Sequence, residues 1–224
     1  MLTALGVSEE VKAEYIASAR ADATEATAWR LIRRLGFHRK QQQIAALEES
    51  MSLLRLFQPS LVPGLLQTPE YVRAILGKKR LGDEVLSRTI AARLERQGVL
   101  YDSGKTLRFV ITEPVLRWRT LPPTMMAGQL DRIISVSRLP NVDIRVVCLA
   151  SAQDDVPGHS FVIRDDRMVT VETTHAEMMV TDPRDIALYV RKFEGFHAMA
   201  IAGDDMRAML AGIRDGFLTE QETR

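Results

Sequence analysis

Two apolar runs, Thr106 to Thr112 and Val142 to Leu149, enclose a segment with helical spacing, and this arrangement constrains the fold more than any other feature of the chain. In the first run Leu107, Phe109 and Ile111 alternate with Arg108, Val110 and Thr112, the period of two that marks a strand. Pro114 breaks it. Thr124 is placed to cap a helix with Met126, Leu130, Ile133 and Ile134 on one face, and Pro140-Asn141 turns the chain into the second run. Strand, helix and strand in this order predict a βαβ unit whose strands are parallel and adjacent. The expected class is therefore α/β (α+β): N-terminal helices, then a mixed sheet with a βαβ unit, a hairpin and C-terminal helices.

The flanking segments fill in that outline. Ser8 to Arg34 reads as a helix, capped by Ser8 with Glu9 and Glu10 in its first turn, and Lys40 to Leu56 reads as a second, with Ile44, Leu47, Met51 and Leu54 at steps of three and four. The acid-free run from Arg30 to Lys40 between them reads as a solvated turn. Leu61-Val62-Pro63-Gly64-Leu65-Leu66 forces a turn inside an apolar stretch, Gly64 being expected to take a backbone conformation other residues resist. Thr68 and Pro69 are the cap and first residue of a helix to Gly77. Asp83 caps the next, towards Gly98, with Arg88, Arg93 and Arg96 on its outer face. His159 to Arg164 and Met168 to Thr173 form a hairpin around Asp165-Asp166-Arg167. Helices start at Thr181-Asp182-Pro183 and at Asp204. The expected organisation is a helical segment over residues 1–56, an effector- or partner-binding α/β domain over 57–216 and a tail over 217–224.

Composition bounds the function. Over 224 residues, 46% hydrophobic and 26% charged side chains supply a real core and exclude a disordered chain. No apolar run approaches the ~20 residues of a membrane span, and residues 1–10 carry no secretory pattern, so no membrane association and a cytoplasmic address are expected. The lone cysteine, Cys148, makes no internal disulfide and agrees with a reducing compartment. The formal charge of +1 hides a split, 22 basic and 15 acidic residues to Leu149 against 8 and 14 beyond it, as expected of halves that complement each other across an interface.

Tests for chemistry are mostly negative. No glycine-rich phosphate loop and no G-x-S-x-G elbow is present. His38, His159, His175 and His197 lack metal-ligand spacing, and neither metal nor cofactor is expected. His159-x-Phe161 followed by Asp166 has the spacing of the H-x-K-x-x-x-x-D half-site of phospholipase D-like enzymes, but phenylalanine stands where the phosphate-binding lysine is required. Glu113, Arg117 and Trp118 follow the first strand at the edge where α/β sheets place ligands. If the two parallel strands are neighbours, Glu113, Arg117, His159 and Glu172 face one cavity, with Gln67 and Tyr71 of the turn-and-helix segment as further ligand-binding candidates.

The run Phe57-x-Pro59-x-Leu61-Val62-Pro63-Gly64-Leu65-Leu66-Gln67-Thr68-x-x-Tyr71-x-Arg73-Ala74 resembles the signature of the uncharacterised domain that follows an Xre-type helix-turn-helix in actinobacterial, antitoxin-like transcriptional regulators. The likeness continues through Ala92-Arg93-Leu94-x-Arg96-Gln97, Glu113-x-x-Leu116-Arg117, Met126-x-x-Gln129-Leu130, Leu139-Pro140-Asn141-Val142, Val171-Glu172-Thr173 and Tyr189-x-x-x-Phe193. Leu2 to Val7 looks like the tail of such a DNA-binding module, so direct nucleic-acid binding by this chain is not expected. The resemblance implies a domain that senses a small-molecule effector or a small acidic partner protein, with a homodimer expected. The alternative is a free-standing biosynthetic enzyme recruited from such a domain and using the same pocket for acid and base work, its catalytic residues unknown.

Overall fold

The computed structural model describes residues 25–28 and 37–222, apart from Arg80 and Gln153. Its centre is a seven-stranded mixed sheet in the order β1-β7-β6-β5-β2-β3-β4. The strands are β1 (Glu25–Ala28), β2 (Leu53–Gln58), β3 (Thr106–Thr112), β4 (Val142–Val147), β5 (Phe161–Arg164), β6 (Met168–Glu172) and β7 (Ala176–Val180). β2, β3 and β4 run parallel, and β5, β6, β7 and β1 extend the sheet antiparallel from β2. The helices are α1 (Phe37–Ser50), α2 (Pro69–Gly77), α3 (Asp83–Arg96), α4 (Glu113–Arg117), α5 (Pro123–Val136), α6 (Pro183–Met199) and α7 (Gly203–Glu222). The mixed α/β class and the parallel β3–β4 pair with α5 between them agree with the sequence reading.

Two layers of helices cover the sheet. On one face Leu54, Phe109, Ile111 and Ile144 meet Met126, Leu130 and Ile133 of α5 and Met206, Leu210 and Phe217 of α7. On the other, Phe57, Val110, Phe161, Ile163 and Val171 meet Ile186, Phe193 and Phe196 of α6, with Phe57 stacked on Phe196 at 4.3 Å and 10° between ring planes. The β5–β6 hairpin turns through Asp165 and Asp166, both at positive φ (49° and 52°), a conformation Asp tolerates better than most side chains. Asp165 is held there because its Oδ1 accepts from the backbone N–H of Ser52 at 2.9 Å and of Leu53 at 2.8 Å, tying the hairpin to the start of β2.

Several sequence expectations need correction. The helix expected over Lys40 to Leu56 stops at Ser50, and Leu53–Gln58 is the strand β2 in the middle of the sheet. A strand covered on both faces reads as a continuous apolar run, so Leu53, Leu54, Leu56 and Phe57 satisfied the helical spacing by accident. The boundary expected between residues 56 and 57 falls inside that strand. Within the helix expected over Ser8 to Arg34, Glu25–Ala28 instead pairs antiparallel with β7, an instance of tertiary pairing overriding local propensity; the remainder lies outside the described residues. The segment expected as a tail from residue 217 continues α7, and Phe217 is buried in the core. Gly64 is not in the left-handed region; Gly203, at φ 58°, is the one described glycine that is. A side chain at Gly64 is crowded rather than strained, because a Cβ there would lie 3.0 Å from an Nη atom of Arg96 and the guanidinium would have to shift by a few tenths of an ångström.

Candidate functional site

The turn that the sequence made so conspicuous, Leu61 to Thr68, is held by three buried glutamines. Gln67 Nε2 donates to the carbonyl of Val62 at 2.7 Å. Gln97 Nε2 donates to the carbonyls of Gly64 (3.1 Å) and Gln67 (2.8 Å). Gln129, fully buried on α5, closes both ends of its amide on the turn: Nε2 donates to the Leu66 carbonyl and Oε1 accepts from the Thr68 N–H, each at 2.8 Å. Thr68 caps α2 through its Oγ1, which accepts from the N–H of Tyr71 at 3.3 Å, and the Tyr71 hydroxyl accepts from the N–H of Val62 at 3.4 Å. Backbone groups that a buried turn would leave unpaired are thereby satisfied.

Behind this turn lies a cavity of about 200 Å³, walled by α1, the turn, α3 and the inner surface of β5, β6 and β7. Its lining carries five cations, Lys40, Lys79, Arg93, Arg96 and Arg164, against three carboxylates, Glu48, Glu172 and Glu177. Two of the carboxylates are engaged. Glu177 pairs with Lys40, and Glu48 Oε2 lies 3.2 Å from Arg96 Nε without hydrogen-bond alignment. Arg93 and Arg164 form no ion pair among the described residues: Arg93 donates to Gln67 Oε1 at 3.2 Å and Arg164 to Thr170 Oγ1 at 3.0 Å. The Nε atoms of Arg93, Arg96 and Arg164 are all buried without a hydrogen-bond partner among the described residues.

The electrostatics register this crowding. Burial, then the like charge of Arg96, brings the Arg93 guanidinium well below its ordinary value, down to about 10, opposed by Glu172. Arg164 is lowered by burial, against the attraction of Glu48. Burial raises the carboxyl of Glu48 above its usual range in spite of Arg96, Arg164 and Lys105. Gln41, Glu48 and Arg96 line both this cavity and a more open groove of about 490 Å³ between α1 and α3, so they form the partition between the two. Guanidinium donors held in fixed positions are chemically suited to carboxylate and phosphate oxygens.

The structure separates the residues singled out from sequence. Gln67 and Glu172 line the cavity; Tyr71 is buried beside it and braces the turn. Glu113 and Arg117 sit elsewhere, at the far end of β3, where Glu113 Oε1 accepts from Arg117 Nε at 2.6 Å and Oε2 from the Leu149 N–H at 2.9 Å. Burial opposes ionisation of Glu113, but these two donors hold its carboxyl below the usual range and make it a link between the ends of β3 and β4. His159 is exposed and meets Tyr189 edge-on at 5.9 Å, on the α6 side of the sheet. The expected convergence of Glu113, Arg117, His159 and Glu172 on one cavity does not occur. His159 and Asp166 flank opposite ends of β5, with Phe161 packed in the core, so the phospholipase-like spacing assembles no half-site. Among the described residues no group of three or more His, Cys, Asp or Glu is placed to hold a metal ion, and no helix is long and apolar enough to cross a membrane.

Sequence reasoning missed Arg93, Arg96, Arg164 and Glu48. Arg93 and Arg96 were assigned with Arg88 to an outer helix face, yet only Arg88 points outward, paired with Glu84. The available signal was their place beside Gln97 in one continuous motif whose glutamine turned out to grip the turn.

Comparison with solved structures finds distant likenesses. A phospholipase D family member, Nuc from Salmonella typhimurium, is 11% identical with a TM-score of 0.40, over 73% of this chain and 90% of that one. NucT from Helicobacter pylori is 11% identical with a TM-score of 0.47, over 80% and 98%. TrmBL2, an archaeal chromatin protein, is 14% identical with a TM-score of 0.40, over 87% and 65%. Likenesses of this strength establish no shared site. No curated protein matches the chain. A family model does: residues 41–212, from the middle of α1 to α7, match the domain of unknown function DUF5753, and the chain belongs to that family.

Proposed function

We propose that this chain is the effector-sensing domain of an Xre-type helix-turn-helix, antitoxin-like transcriptional regulator of the actinobacterial kind, with the arginine-lined cavity as its effector site. The observation that carries the reading is the pair of buried arginines, Arg93 and Arg164, that line the cavity with no ion-pair partner and no acceptor on Nε–H among the described residues. Burying a charge without a counter-charge is costly, and a cost of this kind is retained where a ligand relieves it. The continuous signature from Phe57 to Ala74 supports the regulator context, since its residues build the turn that walls the cavity. The cavity offers donors rather than a nucleophile paired with a base, which favours binding over the recruited-enzyme alternative. Because α1 roofs the cavity, held to β7 through Lys40 and Glu177 and to α3 through Glu48 and Arg96, an occupant changes the stability of α1 and shifts the balance between domain arrangements.

The test is a thermal-melt screen of the full chain against small metabolites, run beside Ile44→Trp, which fills the cavity without altering its charge. A ligand at a hundred times its Kd contributes about 2.7 kcal/mol, which for a domain of this size raises Tm by roughly 5–10 °C. At least one compound should raise the wild-type Tm and leave Ile44→Trp unmoved. A screen without any such compound, or shifts of equal size in the variant, would overturn the effector-site reading.

A further inference from the structure

We propose that the cavity takes a small organic or inorganic oxyanion, bearing carboxylate or phosphate groups, between Arg93 and Arg164, and that Glu48 is its built-in competitor. This rests on the cavity being an effector site. Lys79 apart, four lining cations face three carboxylates among the described residues, and two of the four, Arg93 and Arg164, form no ion pair there. Both present a buried Nε–H with no acceptor among the described residues, the inner tine of the guanidinium fork that binds carboxylate and phosphate oxygens in pairs. Thr170 and Gln67 each hold one guanidinium by a neutral acceptor, which orients the group and leaves its charge unspent.

Glu48 completes the argument. It stands in the last turn of α1, where the helix dipole disfavours a carboxylate, and it is buried, with its side chain only 5% exposed. Its surroundings explain the position: Arg96 at 3.2 Å, with Arg164 and Lys105 also acting on it. Glu48 therefore supplies from α1 the anion that the cation cluster requires when no ligand is bound. An entering oxyanion draws on the same guanidinium groups, so ligand binding weakens the hold of Glu48 on Arg96. The Glu48–Arg96 partition then opens towards the α1–α3 groove, and α1 becomes the element that reports occupancy.

The experiment is isothermal titration of the full chain with inorganic pyrophosphate and with citrate, the two arms separating phosphate from carboxylate preference, and with glycerol as a neutral comparison. Wild type should bind at least one of the anions saturably. Arg93→Met should weaken it about 10- to 100-fold, the loss of a charge-assisted contact, and Arg93→Lys, which keeps the charge but not the fork, should lie between. Glu48→Gln should instead tighten binding several-fold, because it removes a competing charge while keeping the shape. Retention of anion affinity in both Arg93 variants overturns the proposal, and so does weakening by Glu48→Gln. If the melt screen finds a neutral ligand that Ile44→Trp abolishes and Arg93→Met does not, the oxyanion inference falls while the effector site stands. If no compound binds in either experiment, both fall together.

Discussion

Replacing Arg93 by methionine should make the protein more stable, the opposite of what most substitutions of a buried, hydrogen-bonded residue do. The fall of its pKa from the ordinary guanidinium value to about 10 corresponds to on the order of 3 kcal/mol against the charged form in the folded state. Methionine keeps the unbranched stem within the apolar wall formed with Leu65 and Leu76 and discards the charge. Against this gain, which is already net of the attraction of Glu172, stands the lost hydrogen bond to Gln67 Oε1, about 1–2 kcal/mol with that buried acceptor deprived of its donor. The balance is a stabilisation of about 1–2 kcal/mol. At ~2–4 °C per kcal/mol for a chain of this length, Tm should rise by roughly 2–8 °C in differential scanning calorimetry without added anions. A fall in Tm of similar size would refute the reasoning, for it would make Arg93 a structural strut whose charge is fully compensated.

Other consequences are as direct. Gln129→Leu leaves the Leu66 carbonyl and the Thr68 N–H buried without partners, and should cost about 2–4 kcal/mol in denaturant unfolding; a change under 1 kcal/mol would remove the glutamine clasp from the account. Thr68→Ala deletes the cap of α2 and should cost about 1 kcal/mol, read as a lower denaturation midpoint at unchanged slope. Glu113 has a folded pKa below its ordinary 4.5, so its ionised form contributes stability above that value which is lost as pH falls through the lowered one. The Tm gap between wild type and Glu113→Gln should thus be full at neutral pH and close on acidification, and a gap that widens in acid would contradict the Leu149 and Arg117 contacts.

The sheet's parallel half was legible because β3 and β4 are long, alternate cleanly and bracket a helix with a clear apolar face. The hairpin was legible too, since Asp165-Asp166-Arg167 separates two short β-branched runs and both aspartates tolerate positive φ. β2 was not legible: covered on both faces, its Leu-Leu-Arg-Leu-Phe run has no polar side to reveal a period of two. The candidate site was half legible. Gln67 and Glu172 were picked out and do line the cavity, whereas Glu113, Arg117 and His159 were grouped with them on the assumption that one sheet edge gathers one pocket. The pocket instead sits on the face of the antiparallel half, under α1, where Arg164 and Thr170 point towards Glu48 and Arg96 across elements far apart in the chain. No spacing rule within one helix or strand can show such a meeting. Arg93 and Arg96 fell on what a helical wheel marks as the polar side, and a polar side facing a charged cavity is indistinguishable in sequence from one facing water.

The most direct measurement of the central claim is the side-chain Nε–H spectrum of the isotope-labelled protein during titration with pyrophosphate or citrate. The buried Nε–H groups of Arg93 and Arg164, which have no acceptor among the described residues, are the sites expected to receive the oxyanion. Arg108, whose guanidinium is already engaged by both oxygens of Glu194 at 2.6 and 2.8 Å, is an internal control. Saturable shifts of the Arg93 and Arg164 signals at a common midpoint are expected, with Arg108 unmoved. Unchanged Arg93 and Arg164 signals in a folded protein, or an unsaturating drift shared equally with Arg108, would contradict binding of the oxyanion there.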